Sequence, residues 1–374
     1  MQYNKWIEIS KSALSANIAA AREILSAETA LGAVLKANAY GHGTAILALL
    51  LDADDRIDAL CVVDIQEAVF LRKLGVKKTI ILIGWLDPAE SATAVRLQIT
   101  PFIFSSATIA SLEKACIQAN SKIRIILKID TGMGRLGMRC DDVAAQIKLI
   151  KRSHHLEIAG FATHFAQSDS FNDKYTIVQK IRFENILKRH SDSITSPQLN
   201  TASNSAGILM HPDAHYNLTR FGIGMYGLDP SEHTAENSSV ELKPILEFKA
   251  KIIHIQNVKK GDSVSYGSTW TAENDARIAV LPIGYSDGYL RAYAKSAHVL
   301  INEVSCPIRG RVCMNFTMCD VSHLPDVSVG DTATIISTDK QTGCAVDDLA
   351  RIAFTINYEV TTLLPAHLPR ILID

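Results

Sequence analysis

Lys36 closes the apolar run LGAVLK, inside AVLKANAYGHG. A lysine carried to the end of a buried strand loses part of the solvation that favours its charged form, so its amine shifts towards neutrality. A neutral amine at a strand end is what Schiff-base chemistry with a carbonyl compound requires. The alternative is a lysine that simply emerges into solvent. His164 ends a second such run, in FATHFAQSD, and Ser203, Asn204 and Ser205 end a third. Arg220 precedes Gly222, Ile223 and Gly224 at a fourth. Backbone amides beside glycines, joined by hydroxyls, suit the oxygens of a phosphate. These groups make a site only if one scaffold presents all four strand ends on the same side.

Two further patterns carry less. KIDTGMGRLG sets Gly132, Gly134 and Gly137 in GxGxxG spacing, which read mechanically is a dinucleotide fingerprint. It follows the fifth strand rather than the first, and Arg135 sits inside the turn, so a nicotinamide oxidoreductase is the weakest reading. His211 and His215 stand four apart with Pro212 between them and no Glu after the first, so no metal site is expected there.

The elements that must position these groups alternate. Short β-branched runs at 31–36, 59–64, 79–84, 99–104, 123–130, 157–164, 198–203 and 218–226 are separated by helix-like stretches such as SSATIASLEKACIQAN and DKYTIVQKIRFENILKRH. Strand–helix alternation implies parallel pairing with crossover helices. Eight repeats predict a (β/α)8 barrel, whose strand ends share one face; an open doubly wound sheet is the runner-up. The polar segment 231–244 reads as a linker. After it, runs such as ARIAVLPIGY and CPIRGRVCMNFTMCDV are punctuated by Gly, Pro and Asp turns, which predicts a mainly β domain with one short helix near 346–354. The expected division is 1–235 for the barrel and 241–374 for the β domain, with the extreme N-terminal strand a candidate to pair with the latter.

Composition narrows the class. The 374 residues are 47% apolar with a net charge of -1 and 6% aromatics, which allows a large core and offers no basis for binding nucleic acid or an anionic membrane. No run approaches the ~20 apolar residues that span a bilayer, and the N-terminal stretch lacks the apolar core of a signal peptide. Seven cysteines without a CxxC pair argue against a disulfide framework and a zinc site. A cytoplasmic protein is the expectation.

AVLKANAYGHG resembles the cofactor-lysine signature of the alanine racemase family. The likeness continues in order through KIDTGMGRLG, THFAQSD, ASNSAG, TRFGIGMYG, VSYGSTW, IGYSDGYLR, GRVCMN and INYEV, from residue 33 to residue 360. It implies a barrel plus a β domain, pyridoxal 5'-phosphate (PLP) as cofactor, and a homodimer with active sites between subunits. The reaction implied is interconversion of L- and D-alanine by two bases, with D-alanine going to peptidoglycan. Position by position, Lys36 would carry the cofactor. Tyr40, Asn204, Ser205, Gly222, Ile223 and Tyr358 would surround its phosphate. Arg220 would face the pyridine nitrogen, Arg135 the phenolic oxygen and the substrate, and His164 would lie near Arg220. Tyr266 of the partner chain would be the second acid/base, with Met314 and Tyr285 lining the substrate pocket. Lys128 matches a lysine that some members carbamylate. Asn315 departs from the family's usual Asp, at a position in the access corridor. Phenols are poor bases near neutrality, so Tyr266 needs positive character nearby, which His164 bonded to Arg220 would give. A broader amino-acid racemase and a barrel-type PLP decarboxylase are the alternatives. The decarboxylase fits poorly, because such enzymes usually set a carboxylate at the ring nitrogen.

Overall fold

The computed structural model describes residues 3–195 and 197–374, which divide into two compact units. One comprises Ser15–Lys36 and Thr44–Leu242; the other comprises Met1–Leu14, Ala37–Gly43 and Lys243–Asp374.

The first unit is a parallel barrel. Strands β2 (Ala30–Val34), β3 (Ala59–Val62), β4 (Thr79–Leu82), β5 (Ile99–Ile103), β6 (Ile123–Lys128) and β7 (Leu156–Ala162) pair in sequence order, and β8 (Leu218–Phe221) returns to β2. Residues 199–203 close the ring. Leu199 and Thr201 donate to Ala159 and Phe161 of β7, Thr163 donates to Thr201, and Leu218 and Arg220 donate to Asn200 and Ser203. This segment is the seventh expected strand, reduced to a bridge. Strands β3 and β5 are buried at every position, as a sheet covered on both faces must be. Crossover helices obey local capping rules: Asp64 and Glu67 form a capping box at the start of Ile65–Lys73.

Two expectations are corrected here. The run 218–226 leaves the sheet at Phe221 and becomes a 3-10 turn over Ile223–Tyr226, because the Gly222 and Gly224 amides turn to the Ser205 hydroxyl instead of a neighbouring strand. The supposed linker contains the helix Glu232–Asn237, capped by Ser231 accepting from Thr234 and anchored by a fully buried Thr234.

The second unit is mainly β. Strand β1 (Lys5–Ser10) lies antiparallel to β9 (Leu246–Lys251) and parallel to β18 (Arg370–Ile373), inside a six-stranded sheet completed by β14 (His298–Ile301), β15 (Val304–Pro307) and β17 (Thr332–Ile336). A three-stranded sheet of β10 (His254–Val258), β13 (Ala276–Leu281) and β16 (Thr317–Asp320), with the hairpin β11 (Ser263–Val264) and β12 (Trp270–Thr271), encloses a small core of Val258, Val264, Ala272, Ile278 and Met318. Two helices occur where one was expected: Val346–Ala353 and Asn357–Thr362.

Segment 37–43, which follows Lys36, is unusual. Ala37, Asn38, Ala39 and Tyr40 all have φ between 52° and 54°, a left-handed turn built from non-glycine residues. At ~1–2 kcal/mol per residue this costs roughly 4–8 kcal/mol. What offsets it lies in the same unit. Arg370 donates to the Gly41 carbonyl from Nε and Nη2 at 3.0 and 2.7 Å, and the buried His42 Nδ1 sits 3.1 and 3.0 Å from the carbonyls of Ala39 and Tyr40. Burial pushes His42 down to about 4, so the ring is neutral and its Nδ1–H can donate to those carbonyls. Gly41 admits no side chain, since a Cβ there would lie 1.8 Å from the Thr361 carbonyl.

Candidate active site

In the barrel unit every expected residue falls at the carboxyl ends of strands: Lys36 beyond β2, Lys128 at the end of β6, Arg135 in the loop after it, His164 beyond β7, Asn204 and Ser205 beyond 199–203, and Arg220 and Gly222 at β8. That is the face on which barrels build active sites. Parallel strands in register force the convergence: Gly32 pairs with Arg220 and Ala33 with Phe221, while Lys128 pairs with Ala162.

Arg220, 3% exposed, is fixed by four acceptors. Its guanidinium donates to the Thr201 hydroxyl, to the carbonyls of Thr163 and Ala202 at 3.1 and 2.9 Å, and to His164 Nδ1 at 3.2 Å. Arginine has no acceptor atom, so His164 Nδ1 must be the acceptor and the neutral ring carries its proton on Nε2. Burial first, then Arg220, Lys128, Arg135 and Lys36, hold the His164 pKa well below the usual histidine value. The same causes act on the lysines. Burial, Arg135 and Arg220 lower Lys36 against an opposing pull from Glu67, and burial, Arg220 and Arg135 hold Lys128 well below 10.5 against Asp130. The Lys128 ammonium and the Arg220 guanidinium lie 5.7 and 6.0 Å from the Phe102 ring centroid. Four permanent or potential cations thus face two carboxylates, Asp130 and Glu67. Asp130 is already engaged, accepting from the amides of Gly132 and Gly134. The GxGxxG spacing is therefore an aspartate-held turn after β6.

The chemistry of this donor set suits an anionic group. Ser205, 4% exposed, accepts from the Gly222 and Gly224 amides at 2.9 and 3.2 Å, while the amide of the buried Ile223 makes no hydrogen bond among the described residues. A buried amide without an acceptor is rare, and a phosphoryl oxygen would complete it. Asn204 accepts from the Gly207 amide and the Ser168 hydroxyl, both at 2.9 Å, so it caps the helix Ser205–Met210.

The remaining residues belong to the mainly β unit. Tyr40 and Tyr358 are ring neighbours, with centroids 6.1 Å apart. Tyr266, Tyr285 and Met314 form a second group. The Tyr285 and Ser286 amides donate to the carbonyls of Cys313 and Met314 at 3.1 Å each. A Cβ on Gly284 would lie 2.2 Å from the Cys313 carbonyl, so the two loops touch only because that residue is glycine. The turn carrying Tyr266 is tied to the same stretch by the Ser265 hydroxyl donating to the Arg311 carbonyl at 2.7 Å. Tyr266, Met314 and Tyr285 are 73%, 55% and 42% exposed. Asn315 donates to the Ser286 hydroxyl at 2.9 Å.

Sequence reasoning missed the polar residues that support these groups: Thr163, Thr201, Thr131, Gln179 and Arg370. Their signal was weak, since a threonine beside a strand end or a glutamine in a helix is commonplace until its partners are known.

Residues 9–230 match the family described as alanine racemase, N-terminal domain, and residues 245–372 match alanine racemase, C-terminal domain. The alanine racemase of Methanococcus maripaludis is 34% identical over 98% of both chains, and that of Listeria monocytogenes is 38% identical over 98% of this chain and 96% of its own. Among solved structures, an alanine racemase of Clostridium difficile superimposes with a TM-score of 0.93 at 29% identity, covering 100% of this chain and 96% of its own. One from Bacillus anthracis, solved with bound L-Ala-P, gives 0.91 at 30% identity with the same coverage.

Proposed function

The chain belongs to the alanine racemase family, PLP-dependent isomerases, and from that premise we propose how its own residues divide the reaction. The barrel unit holds PLP through Lys36, and the observation that carries this is a half-buried, neutral-leaning lysine in a basin where four cationic groups outnumber two carboxylates. Within that unit the phosphate would be held by Ser205, the amides of Gly222 and Ile223, and Asn204 through its cap. When bound, the cofactor supplies an electron sink that makes the substrate Cα proton removable. The domain division follows: the barrel unit binds cofactor, and the mainly β unit supplies a base to a second copy of the chain.

Lys36 moves the proton on one face of the substrate. Its lowered pKa brings a usable fraction of free amine towards neutral pH. Tyr266 of the other subunit moves the proton on the opposite face. Support for a shared site is the exposed cluster of Tyr266, Met314 and Tyr285, since a base open to solvent cannot act on one enantiomer until a second surface covers it. His164 donates from Nε2–H to the phenolate of that tyrosine, its tautomer fixed by Arg220. Arg220 would face the pyridine nitrogen, and because a guanidinium keeps its proton it would donate a hydrogen bond there without protonating the ring. Arg135 faces the phenolic oxygen and the substrate carboxylate, and Lys128, buried and neutral-leaning beside it, is the proposed site of carbamylation. Seven free cysteines, five of them buried, suit the reducing cytoplasm, where D-alanine would be supplied for peptidoglycan.

Borohydride reduction of the holoprotein followed by peptide mapping tests the central assignment. The pyridoxyl label should appear on Lys36; a label on any other lysine overturns it.

A further inference from the structure

Helix Lys174–His190 presents Tyr175, Gln179 and Arg182 on one face, spaced four and three apart. All three reach into the loops at the carboxyl end of the barrel. Tyr175 donates from its hydroxyl to the Gly132 carbonyl at 3.0 Å, and Arg182 donates from Nη1 to the Thr131 carbonyl at 2.8 Å. Gln179 lies between them with no exposure. Its Oε1 accepts from the Ala166 amide at 2.8 Å, and its Nε2 donates to the His164 carbonyl at 2.9 Å and to the Thr131 hydroxyl at 3.3 Å.

That third bond starts a one-way relay. Thr163 donates to the Ile129 carbonyl at 3.0 Å, so in the 2.7 Å contact between the hydroxyls of Thr131 and Thr163 it is Thr131 that donates. Thr163 also offers its carbonyl to Arg220 Nη2, the nitrogen that meets His164 Nδ1. The main chain at 164 and 166 and the Thr163 hydroxyl are thus held on both sides of one imidazole, and a single glutamine supplies the first two restraints directly and the third through Thr131. A polar side chain that only filled space in the helix would need none of this directionality.

Resting on the role assigned above to His164, we propose that Gln179 is a positioning residue that keeps the His164 ring aligned with Arg220, and thereby fixes the Nε2–H tautomer that supports the tyrosine base. Without it, the freed His164 carbonyl lets the ring turn away from Arg220, the proton is no longer confined to Nε2, and the phenolate loses its donor. The charged groups around His164 are Arg220 on β8, Lys128 on β6, Arg135 in the following loop and Lys36 beyond β2. Arg182 is one turn along from Gln179 on the same helix.

The test is the pH profile of kcat/KM for alanine in the holoenzyme. Gln179→Leu should lower kcat/KM roughly ten- to a hundredfold, as losing a partner that orients a functional histidine does. Its acid limb should move to higher pH by about half a unit or more, because the tyrosine base ionises less readily. Phe183→Leu, in the same helix and fully buried, matches the loss of Tm and should leave the limb in place. A uniformly scaled profile in Gln179→Leu, or an equal displacement in Phe183→Leu, overturns the proposal. If Gln179→Leu does not fold, Gln179→Glu takes its place. A protonated carboxyl can still donate to the His164 carbonyl and an ionised one cannot, so activity relative to wild type should fall as pH rises; a ratio independent of pH overturns the proposal. His164→Gln separates the two levels. A limb unmoved there sinks the reading of His164 and this inference with it, whereas a limb moved there but not in Gln179→Leu sinks the inference alone.

Discussion

Arg220, in the barrel unit, is 3% exposed and has four fixed acceptors, whereas Tyr266, in the mainly β unit, is 73% exposed on a turn built around Gly267. The same contrast holds for their companions. Lys36, Lys128 and His164 have pKa values lowered by burial and by the guanidiniums of Arg220 and Arg135, while Met314 and Tyr285 lie open beside Tyr266. A barrel can finish its site internally because eight strand ends meet on one face; loops linking small β-sheets present residues outward. One unit is therefore preorganised and the other waits for a surface.

The sharpest way to break this contrast is Lys36→Ala. Activity should fall to background and the borohydride-reducible visible absorbance should vanish, with Tm little changed, since a buried lysine contributes desolvation cost rather than packing. Substantial residual racemisation would place the chemistry elsewhere. Tyr266→Phe comes next, at about 10²–10⁴-fold in both directions, the range for one general acid/base. Its Tm should not move, and exchange of the D-alanine Cα proton with solvent deuterium should persist through Lys36. Exchange that falls in step with racemisation would favour one base over two.

A smaller effect sharpens the comparison by joining the two halves. If the exposed group is completed by another copy, mixing inactive Lys36→Ala and Tyr266→Phe proteins should restore roughly a quarter of wild-type activity, because about half the dimers are mixed and each mixed dimer has one intact site. Silence in the mixture, with subunit exchange shown by tagged chains, removes the shared site. Lys128→Met probes the barrel alone. The native Lys128 pKa is lowered, so between it and the unfolded value the unfolded chain holds more protons and stability rises with pH, by at most about 1.4 kcal/mol per unit. Below both values the charge is buried at full cost. In carbonate-free buffer the variant should be more stable at the acid end and flatter with pH below the ordinary lysine value of 10.5 in denaturant titrations; parallel curves would refute the buried-charge account. The smallest effect is Thr176→Val. Thr176 Oγ1 is buried without a hydrogen-bond partner among the described residues, so an isosteric methyl should raise Tm by about a degree or two, and a lower Tm would reveal an unseen partner.

Much of this was legible from residue order, for reasons that differ between the units. Barrel strands are buried on both faces and read as continuous apolar runs, so all eight segments were found, and the strand-end positions of Lys36, His164 and Arg220 followed. Their ends were not. Strand β2 stops at Val34, two residues before Lys36, and a left-handed turn follows from Ala37, where no propensity favours Ala37–Tyr40 in that conformation. Residues 222–226 were lost to a serine hydroxyl seventeen positions upstream of Gly222. In the other unit, KAKIIHIQNV reads as one strand but serves two sheets, because Ile252 turns to donate to the Asp331 carbonyl. Helix Asn357–Thr362 hid among β-branched Val360, Thr361 and Thr362. Gln179 carried no sequence signal, because its meaning lies wholly in partners 13 to 48 residues away.

The parallel pairing of β1 with β18 sets a timetable for synthesis. Ile7 hydrogen-bonds to Pro369, more than three hundred residues later in the chain, while β9, its other neighbour, begins only at Leu246. The barrel can close as soon as β8 leaves the ribosome, but β1 must stay unpaired through more than two hundred residues of elongation, and one of its edges until β18 emerges. It tolerates the wait because only alternate residues, Ile7 and Ile9, are fully buried in the finished sheet, with charged Lys5 and Glu8 among the rest. A ribosome stalled a few codons short of residue 370 would release a chain whose barrel is complete and whose first strand offers a bare edge to its neighbours.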